Sequence, residues 1–347
     1  MAQEFKSLNF AVSFIAVVLA GYVLAQGREL FVPFAIGVMV WYVINALTRQ
    51  FQRIRIGTWS VPRWLGLTLS LLVLAGAINL MVDLISANVN QVARAAPTYA
   101  ENLDRIIDDI FSWFDVPQAP TLAELIKDIN VAPWIGTLAG ALSGFAGKLG
   151  LVLVYVLFLL MSQGFFGQKL DALFPDEHRR RRMENMIQRM QGEIQSYLWI
   201  KTLVSVLTGL VSYAILATVG VDFASFWAFV IFLLNYIPTI GSIIGVVFPA
   251  LLTLVQFDTP GPFLIVAVGL GAVQFMIGNI LEPRLQGASL GLDPLVLIIS
   301  LMAWGMLWGV AGMFLAVPIT VIIMIVLSQF ETGRPIAILM SKDGQIK

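Results

Sequence analysis

Residues 223–256 read FASFWAFVIFLLNYIPTIGSIIGVVFPALLTLVQ, an apolar run of 34 residues that is interrupted near its middle. About 20 residues of helix already cross a bilayer, so this run is too long for one span. Pro238 removes a backbone donor and Gly241 permits a sharp turn, so the spacing predicts that the helix opens near 236–241, with non-helical backbone over 235–242. The run therefore predicts a re-entrant hairpin of two short helices. The alternative is two short helices joined by a plain extracellular turn.

Seven other apolar runs have the length of membrane-spanning helices or more. They lie at 8–25, 30–47, 64–82, 149–166, 202–219, 262–281 and 294–327. Lipid offers backbone groups no hydrogen-bond partners, so spanning runs are helical. The last run contains Gly305, Gly309 and Gly312, with Pro318 beyond, and it predicts a second hairpin. The chain is thus predicted to be an all-α polytopic integral membrane protein of about 7–8 transmembrane helices, with broken helices in its C-terminal half.

Composition agrees with this class and excludes several others. Hydrophobic residues make up 59% of the chain and charged residues 12%, too few polar residues for the surface of a soluble protein. Basic and acidic residues balance, so no nucleic-acid partner is predicted. The chain has no cysteine, its one histidine is His178 in a charged loop, and it carries no catalytic or nucleotide-binding motif. We therefore predict no enzyme, catalytic residue, metal site or cofactor.

The distribution of arginine in the loops predicts the orientation. The loop 48–63 carries four arginines and no acid, which places it in the cytoplasm together with the N-terminus of this inner- or plasma-membrane protein. Stretch 83–147 then lies outside. Stretch 167–201 returns to the cytoplasm with the consecutive arginines Arg179 to Arg182.

The external stretch 83–115 has a helical pattern of its own. Its apolar residues recur at spacings of 4 and 3, at Ile85, Val89, Val92, Ala96, Tyr99, Leu103, Ile106, Ile110 and Phe114. Such a heptad seam is typical of a helix that packs on another helix. The arm is either an interfacial amphipathic helix or an oligomerisation arm.

These features divide the chain into five predicted regions. They are three transmembrane helices at 1–82, an extracytoplasmic helical arm at 83–135, a transmembrane helix with a cytoplasmic basic amphipathic helix at 136–201, a core with hairpins at 202–330, and a tail at 331–347.

Two C-terminal segments contain polar residues inside apolar runs. Opened backbone at membrane depth is tolerated only against protein or a water-filled cavity, where it can bind an ion or a polar solute. The candidate path residues are Asn235, Tyr236, Pro238, Thr239, Gly241, Ser242, Gln274, Asn279, Glu282, Pro283, Arg284 and Asp293. Glu282 and Arg284 flank a proline and could form a gate, or they are ordinary loop charges. Asp293 precedes Pro294 and also has the position of an N-cap.

In these segments the chain resembles the AI-2E family of bacterial membrane proteins, often called autoinducer-2 exporters. The residues that carry the resemblance are Asn235-Tyr236-Ile237-Pro238, Gly241, Gly245, Asn279, Glu282-Pro283-Arg284, Gly287, Gly291-Leu292, Pro294, Gly305, Gly309, Gly312 and Pro318. The resemblance implies an oligomeric transporter of the bacterial inner membrane with hairpins in its second half. Members of the family are linked to export of the furanone-type signal autoinducer-2, and others to sodium/proton exchange.

Three functions remain open at this point. The first is gradient-driven export of a small polar solute such as autoinducer-2, with H⁺ or Na⁺ as the candidate coupling cation. The second is Na⁺(Li⁺)/H⁺ antiport, with Glu282 or Asp293 as the exchanging carboxylate. The third is a membrane scaffold that transports nothing. The predicted partners are the lipid bilayer, the solute and further copies of the chain.

Overall fold

The computed structural model describes residues 2–53, 55–56, 59–113, 148–286 and 291–344, and these are almost entirely helical. The helices are α1 (Ala2–Gln26), α2 (Arg28–Arg53), α3 (Arg63–Trp113), α4 (Lys148–Leu173, with a 3₁₀ turn at Gln163–Phe165), α5 (Glu177–Val219), α6 (Ala224–Leu234), α7 (Ile240–Gln256), α8 (Gly261–Met276), α9 (Glu282–Gln286), α10 (Pro294–Ser328) and α11 (Arg334–Met340). A π-helical turn at Ile277–Leu281 joins α8 to α9. Two antiparallel strands, β1 (Arg55–Ile56) and β2 (Trp59–Ser60), follow α2.

In this described part of the chain, six helices are long and apolar enough to cross a membrane. They are Arg28–Arg53, Arg63–Leu84, Lys148–Leu173, Glu177–Val219, Gly261–Leu285 and Pro294–Ser328. Large apolar side chains along them face outward; Val268 is 69% exposed and Met306 is 89% exposed. Apolar surface of this extent is stable against lipid and not against water. The prediction of an all-α polytopic membrane protein is confirmed.

Helices α6 and α7 form the predicted hairpin, here named the 224–256 hairpin. The chain leaves the helical conformation after Leu234 and regains it at Ile240. A Cβ added to Gly241 would lie 1.8 Å from the carbonyl oxygen of Leu234. Two residues seven positions apart can approach this closely only if the chain reverses direction between them.

Helix α10 contains the second hairpin. Gly309 has φ 64° and ψ −144°, a conformation that is essentially restricted to glycine. A Cβ added to Gly312 would lie 1.9 Å from the carbonyl oxygen of Trp304, so residues on the two sides of Gly309 lie next to each other. Both breaks fall where glycine and proline predicted them.

Helix α3 runs unbroken from the membrane-spanning part into the predicted arm. Its 51 residues correspond to a length of about 77 Å. Tyr99 donates a hydrogen bond of 2.6 Å from its hydroxyl to Oδ2 of Asp222, which lies just before α6. Asn102 donates from Nδ2 to the carbonyl oxygen of Val255 at 2.7 Å, and Arg105 pairs with Asp258. The arm therefore binds the base of the 224–256 hairpin.

The pKa of Tyr99 is raised by burial and by its bond to the Asp222 carboxylate. The hydroxyl therefore keeps its proton and remains a donor. Of the heptad seam, the structure describes the side chains of Tyr99 and Ile106 only, and the packing of the other seam side chains stays a prediction.

Two compact units divide the chain. Unit 1 comprises Met1–Ala46, Phe145–Tyr197 and Ala288–Lys347, and unit 2 comprises Leu47–Gly144 and Leu198–Gly287. The core of unit 2 is formed where α5 meets α6, α7 and α8. Its buried side chains are Leu216, Val221, Ile231, Ala250, Val266 and Leu270.

In unit 1, α2 packs on α4 and α11 packs on α10. A Cβ on Gly37 would lie 3.0 Å from Cβ of Tyr155, so α2 and α4 approach closely. The segment after α11 lies along the start of α10, where the Lys342 amide donates to the carbonyl oxygen of Gly291 at 2.7 Å. The region predicted as a tail thus contains a short helix that is attached to its unit by backbone hydrogen bonds.

Candidate solute path

The tip of the 224–256 hairpin is five residues of non-helical backbone, 235–239. Thr239 has φ 63°, which costs a threonine conformational energy and persists only in a well-determined turn. Gly241 and Ser242 were expected in the opened segment, but they lie in the first turn of α7. Gly241 is required for a different reason: a Cβ at this position would overlap the Leu234 carbonyl oxygen, so a side chain has no space.

Two polar side chains of the tip turn inward onto α5. Asn235 donates from Nδ2 to Oγ of Ser205 at 3.0 Å, and the Tyr236 hydroxyl lies 2.7 Å from Oγ1 of Thr202. Asn235 is 6% exposed and Tyr236 is 8% exposed. Thr239 is exposed, and Pro238 and Ser242 are half-buried. The tip therefore presents one polar face to α5 and another to its surroundings.

One turn along α7 from the tip, Gly245 brings the hairpin close to α8. A Cβ on Gly245 would lie 3.2 Å from Cγ1 of Ile231 and 3.5 Å from Nε2 of Gln274. Gln274 is 8% exposed. In the part of the chain that the structure describes, the Gln274 side chain has no hydrogen-bond partner. An amide that has no partner in the protein is available to a bound polar molecule.

Glu282 follows the π-helical turn and forms an ion pair with Lys201 of α5. Nζ of Lys201 lies 2.6 Å from Oε1 of Glu282. The two side chains are 5% and 15% exposed. Asn279, in the π-helical turn, is exposed, as are Pro283 and Arg284. The glutamate that sequence reasoning placed opposite Arg284 is thus held by a lysine from another helix.

Sequence reasoning missed Lys201 because the apolar run of α5 was taken to begin one residue later. A periodic signal was present. Lys201, Ser205, Thr208 and Ser212 recur at spacings of 4, 3 and 4 and are all buried, with exposures of 4%, 0%, 0% and 1%. Such spacing puts them on one helix face. A polar stripe on an otherwise apolar spanning helix indicates a face turned toward protein or a polar cavity.

Asp293 lies in unit 1 and has the contacts of an N-cap. Its Oδ1 accepts a hydrogen bond of 2.8 Å from the Leu295 amide, with Pro294 at the first helical position. Its own amide donates to the carbonyl oxygen of Met340 at 2.9 Å. These bonds satisfy backbone amide groups at the start of α10.

The sequence is similar to a set of bacterial transport proteins along almost its whole length. The profile described as AI-2E family transporter matches residues 10–332. The AI-2 transport protein TqsA of Escherichia coli K12 is 31% identical, and the alignment covers 98% of each chain. A "Putative transport protein" of Haemophilus influenzae is 28% identical over 96% of this chain and 95% of its own. "Putative transport protein YhhT" of Escherichia coli K12 is 29% identical over 94% and 91%.

Several helices long and apolar enough to span a membrane, together with two helical hairpins, are typical of a multi-pass membrane transporter. The matches agree with that class. The chain belongs to the AI-2E family of transporters.

Proposed function

We propose that this transporter exports a small polar solute across a bacterial inner membrane, driven by a gradient and without ATP. The observation that carries the proposal is the set of contacts on one face of α5. Lys201 holds Glu282, Thr202 holds Tyr236 and Ser205 holds Asn235. Neighbouring residues of α5 thus bind both the broken hairpin tip and the Glu282 carboxylate.

The tip contacts support binding of an uncharged, hydroxyl-bearing solute. The bonds from Asn235 to Ser205 and between Tyr236 and Thr202 join neutral groups. A solute hydroxyl or carbonyl can replace such a partner at little net cost, since one hydrogen bond is exchanged for another. Gln274 adds an amide on a mostly buried residue. The remaining candidates, Thr239, Ser242 and Asn279, would line the entrance to this polar region.

In the predicted orientation, with the N-terminus in the cytoplasm, the ion pair and the hairpin tip lie at the cytoplasmic end of the apolar run 202–219 of α5. We propose that the pair between Lys201 and Glu282 closes the path there until the solute arrives, with Arg284 at its exposed margin. Separating two buried charges is unfavourable unless water or solute replaces each partner. The path so defined lies within unit 2, and Asp293 keeps its capping role in unit 1.

The substrate is proposed from the relatives' names. TqsA is named an AI-2 transport protein, and an autoinducer-2-like signal is small, polar and uncharged, as the tip contacts require. Further copies of the chain are proposed as partners, with the arm at 83–115 as the surface that joins them.

Flux into liposomes that contain the pure protein tests the proposal. Autoinducer-2 is placed on the side of the membrane that faces the hairpin tip. It should cross the membrane faster than in liposomes without protein. Glu282→Gln should alter that rate more than Arg284→Gln, because the Arg284 side chain is exposed. Protein that is folded and inserted, yet moves neither the solute nor a cation, would refute the proposal and favour the scaffold.

Na⁺(Li⁺)/H⁺ antiport is the second candidate, and one observation favours it. Glu282 is a mostly buried carboxylate whose counter-ion is a lysine, and such pairs can exchange a proton for a metal cation. In the same liposomes, antiport predicts that a Na⁺ or Li⁺ gradient drives proton movement without any organic solute. Proton movement that requires autoinducer-2 would instead indicate coupled export.

A further inference from the structure

The first turns of α5 carry four consecutive arginines, Arg179 to Arg182, and the structure gives them different environments. Successive residues of a helix point about 100° apart, so the run cannot face one way. Arg180 pairs with Asp171 at 3.3 Å and with Glu184 at 3.9 Å. Arg181 donates to Glu177 at 2.5 Å. Arg182 donates from Nη2 to the backbone carbonyl of Gln329 at 3.1 Å.

One face of α5 lines a cavity of about 500 Å³ in unit 1. The side chains that line it include His178, Arg181, Arg182, Asn185, Arg189 and Gln329. The α5 residues recur at spacings of 3 and 4, which places them on one stripe. Arg179 and Arg180 point elsewhere. No acidic side chain lines the cavity among the residues that the structure describes.

Gln329 shows where this cavity lies relative to the apolar helices of unit 1. The apolar second arm of α10, after the break at Gly309, ends at Ser328, the residue before Gln329. Phe330, one residue further, is 59% exposed. An apolar helix that ends at a cluster of arginines, with an exposed aromatic ring beside it, has the composition found where a bilayer's hydrocarbon meets its headgroups.

We infer that this cavity binds the phosphate of an anionic phospholipid headgroup. Arginine binds phosphate through two parallel N–H groups, so guanidinium groups converging from one helix face suit this anion. Arg189 has no acidic partner among the described residues, and Arg182 bonds only to a carbonyl, so both retain their charge for a ligand. A soluble phosphate would share this chemistry, but the adjoining end of α10 and Phe330 give a lipid's acyl chains an apolar surface to lie against.

The chain supplies a matched pair of variants for a test. Arg189→Gln removes one positive charge from the cavity. Arg179→Gln removes one from the same helix outside it. With the full-length protein in detergent, binding of phosphatidylglycerol is measured by native mass spectrometry, with phosphatidylcholine as the neutral reference. Arg189→Gln should weaken phosphatidylglycerol binding by about five-fold, the contribution of one basic residue at an anionic surface. Arg179→Gln should bind like the parent protein.

Further measurements separate the remaining outcomes. Arg189→Lys keeps the charge but loses the bidentate hydrogen-bond geometry, so it should bind phosphatidylglycerol with intermediate affinity. If Arg189→Gln does not fold, Arg189→Lys replaces it in the comparison. Inorganic phosphate as competitor distinguishes the ligand source. Equal losses in Arg179→Gln and Arg189→Gln would indicate diffuse attraction and overturn the site. Binding of inorganic phosphate that depends on Arg189, without binding of phosphatidylglycerol, would overturn the lipid assignment.

Discussion

Lys201 and Glu282 join two helices of unit 2 through charges that have little contact with solvent. Removing one partner of a buried pair leaves the other uncompensated, at a cost of about 3–5 kcal/mol. We therefore expect Lys201→Gln to lower the melting temperature of the purified protein markedly. Lys201→Gln combined with Glu282→Gln should recover part of the loss. Arg284→Gln, at an exposed position next to the pair, is the control. A double variant as unstable as the sum of the single variants would contradict the pairing.

Gly241 is fixed by close approach, since a Cβ would lie 1.8 Å from the Leu234 carbonyl oxygen. Gly241→Ala must push the two sides of the hairpin tip apart, so it should lower both the unfolding temperature and flux. Gly271→Ala on α8 is the matched control, because a Cβ there meets nothing within 4 Å. In the helix interior that change should be neutral or stabilising by up to about 1 kcal/mol. Similar losses in both variants would show that the effect is not specific to the tip.

At the residue scale, sequence reasoning identified polar groups but not their partners. Asn235, Tyr236 and Glu282 were named because they interrupt apolar runs. Their partners Ser205 and Thr202 were not, because hydroxyl groups within a spanning helix can bond to their own backbone. Lys201 was not, because it directly precedes the apolar run of α5. Thr208 does this, donating to the Val204 carbonyl oxygen at 2.8 Å. A pairing between two helices depends on their rotation and depth, which a single sequence does not determine.

In unit 2, the arm of α3 contacts the base of the 224–256 hairpin. Tyr99→Phe removes the hydroxyl that bonds to Asp222, and it should increase hydrogen exchange at the start of α6 and the end of α7. Arg105→Gln is the comparison. Its pair with Asp258 has side chains that are 50% and 73% exposed, and exposed pairs contribute little. Equal exchange in Tyr99→Phe and the parent protein would show that the arm does not restrain the hairpin.

At the element scale, both hairpins and the helical arm were predicted, because glycine, proline and apolar periodicity act locally. The length of the non-helical tip was not predicted correctly. The opened segment was expected to reach Ser242, whereas α7 resumes at Ile240. The Gly241 amide bonds to the Ile237 carbonyl oxygen at 3.1 Å, so the helix restarts as soon as Pro238 has been passed. The function of Gly241 in packing rather than turning depends on a contact that only the folded hairpin creates.

For the whole molecule, the proposed orientation turns the hairpin tip toward the cytoplasmic side and its base toward the outside. The native chain has no cysteine, so single cysteines can report on sidedness. Thr239→Cys is at the exposed tip and should react with a membrane-impermeant thiol reagent from the cytoplasmic side only. Asp258→Cys, at the base, should react from the outside only. Asn235→Cys, at a buried position, should stay largely unlabelled. The reverse pattern at Thr239 and Asp258 would invert the topology and the assigned direction of export.

The two ends of the 224–256 hairpin are held differently. The arm restrains its base, while the polar bonds of the tip join neutral groups. If each tip bond contributes about 1 kcal/mol, thermal motion releases the tip in at most roughly a few per cent of molecules. A solute that binds only the released form has an apparent affinity weakened by the same fraction. We therefore expect half-saturation at high internal solute concentration, so that the cell loses little of a scarce metabolite and discharges it once it has accumulated.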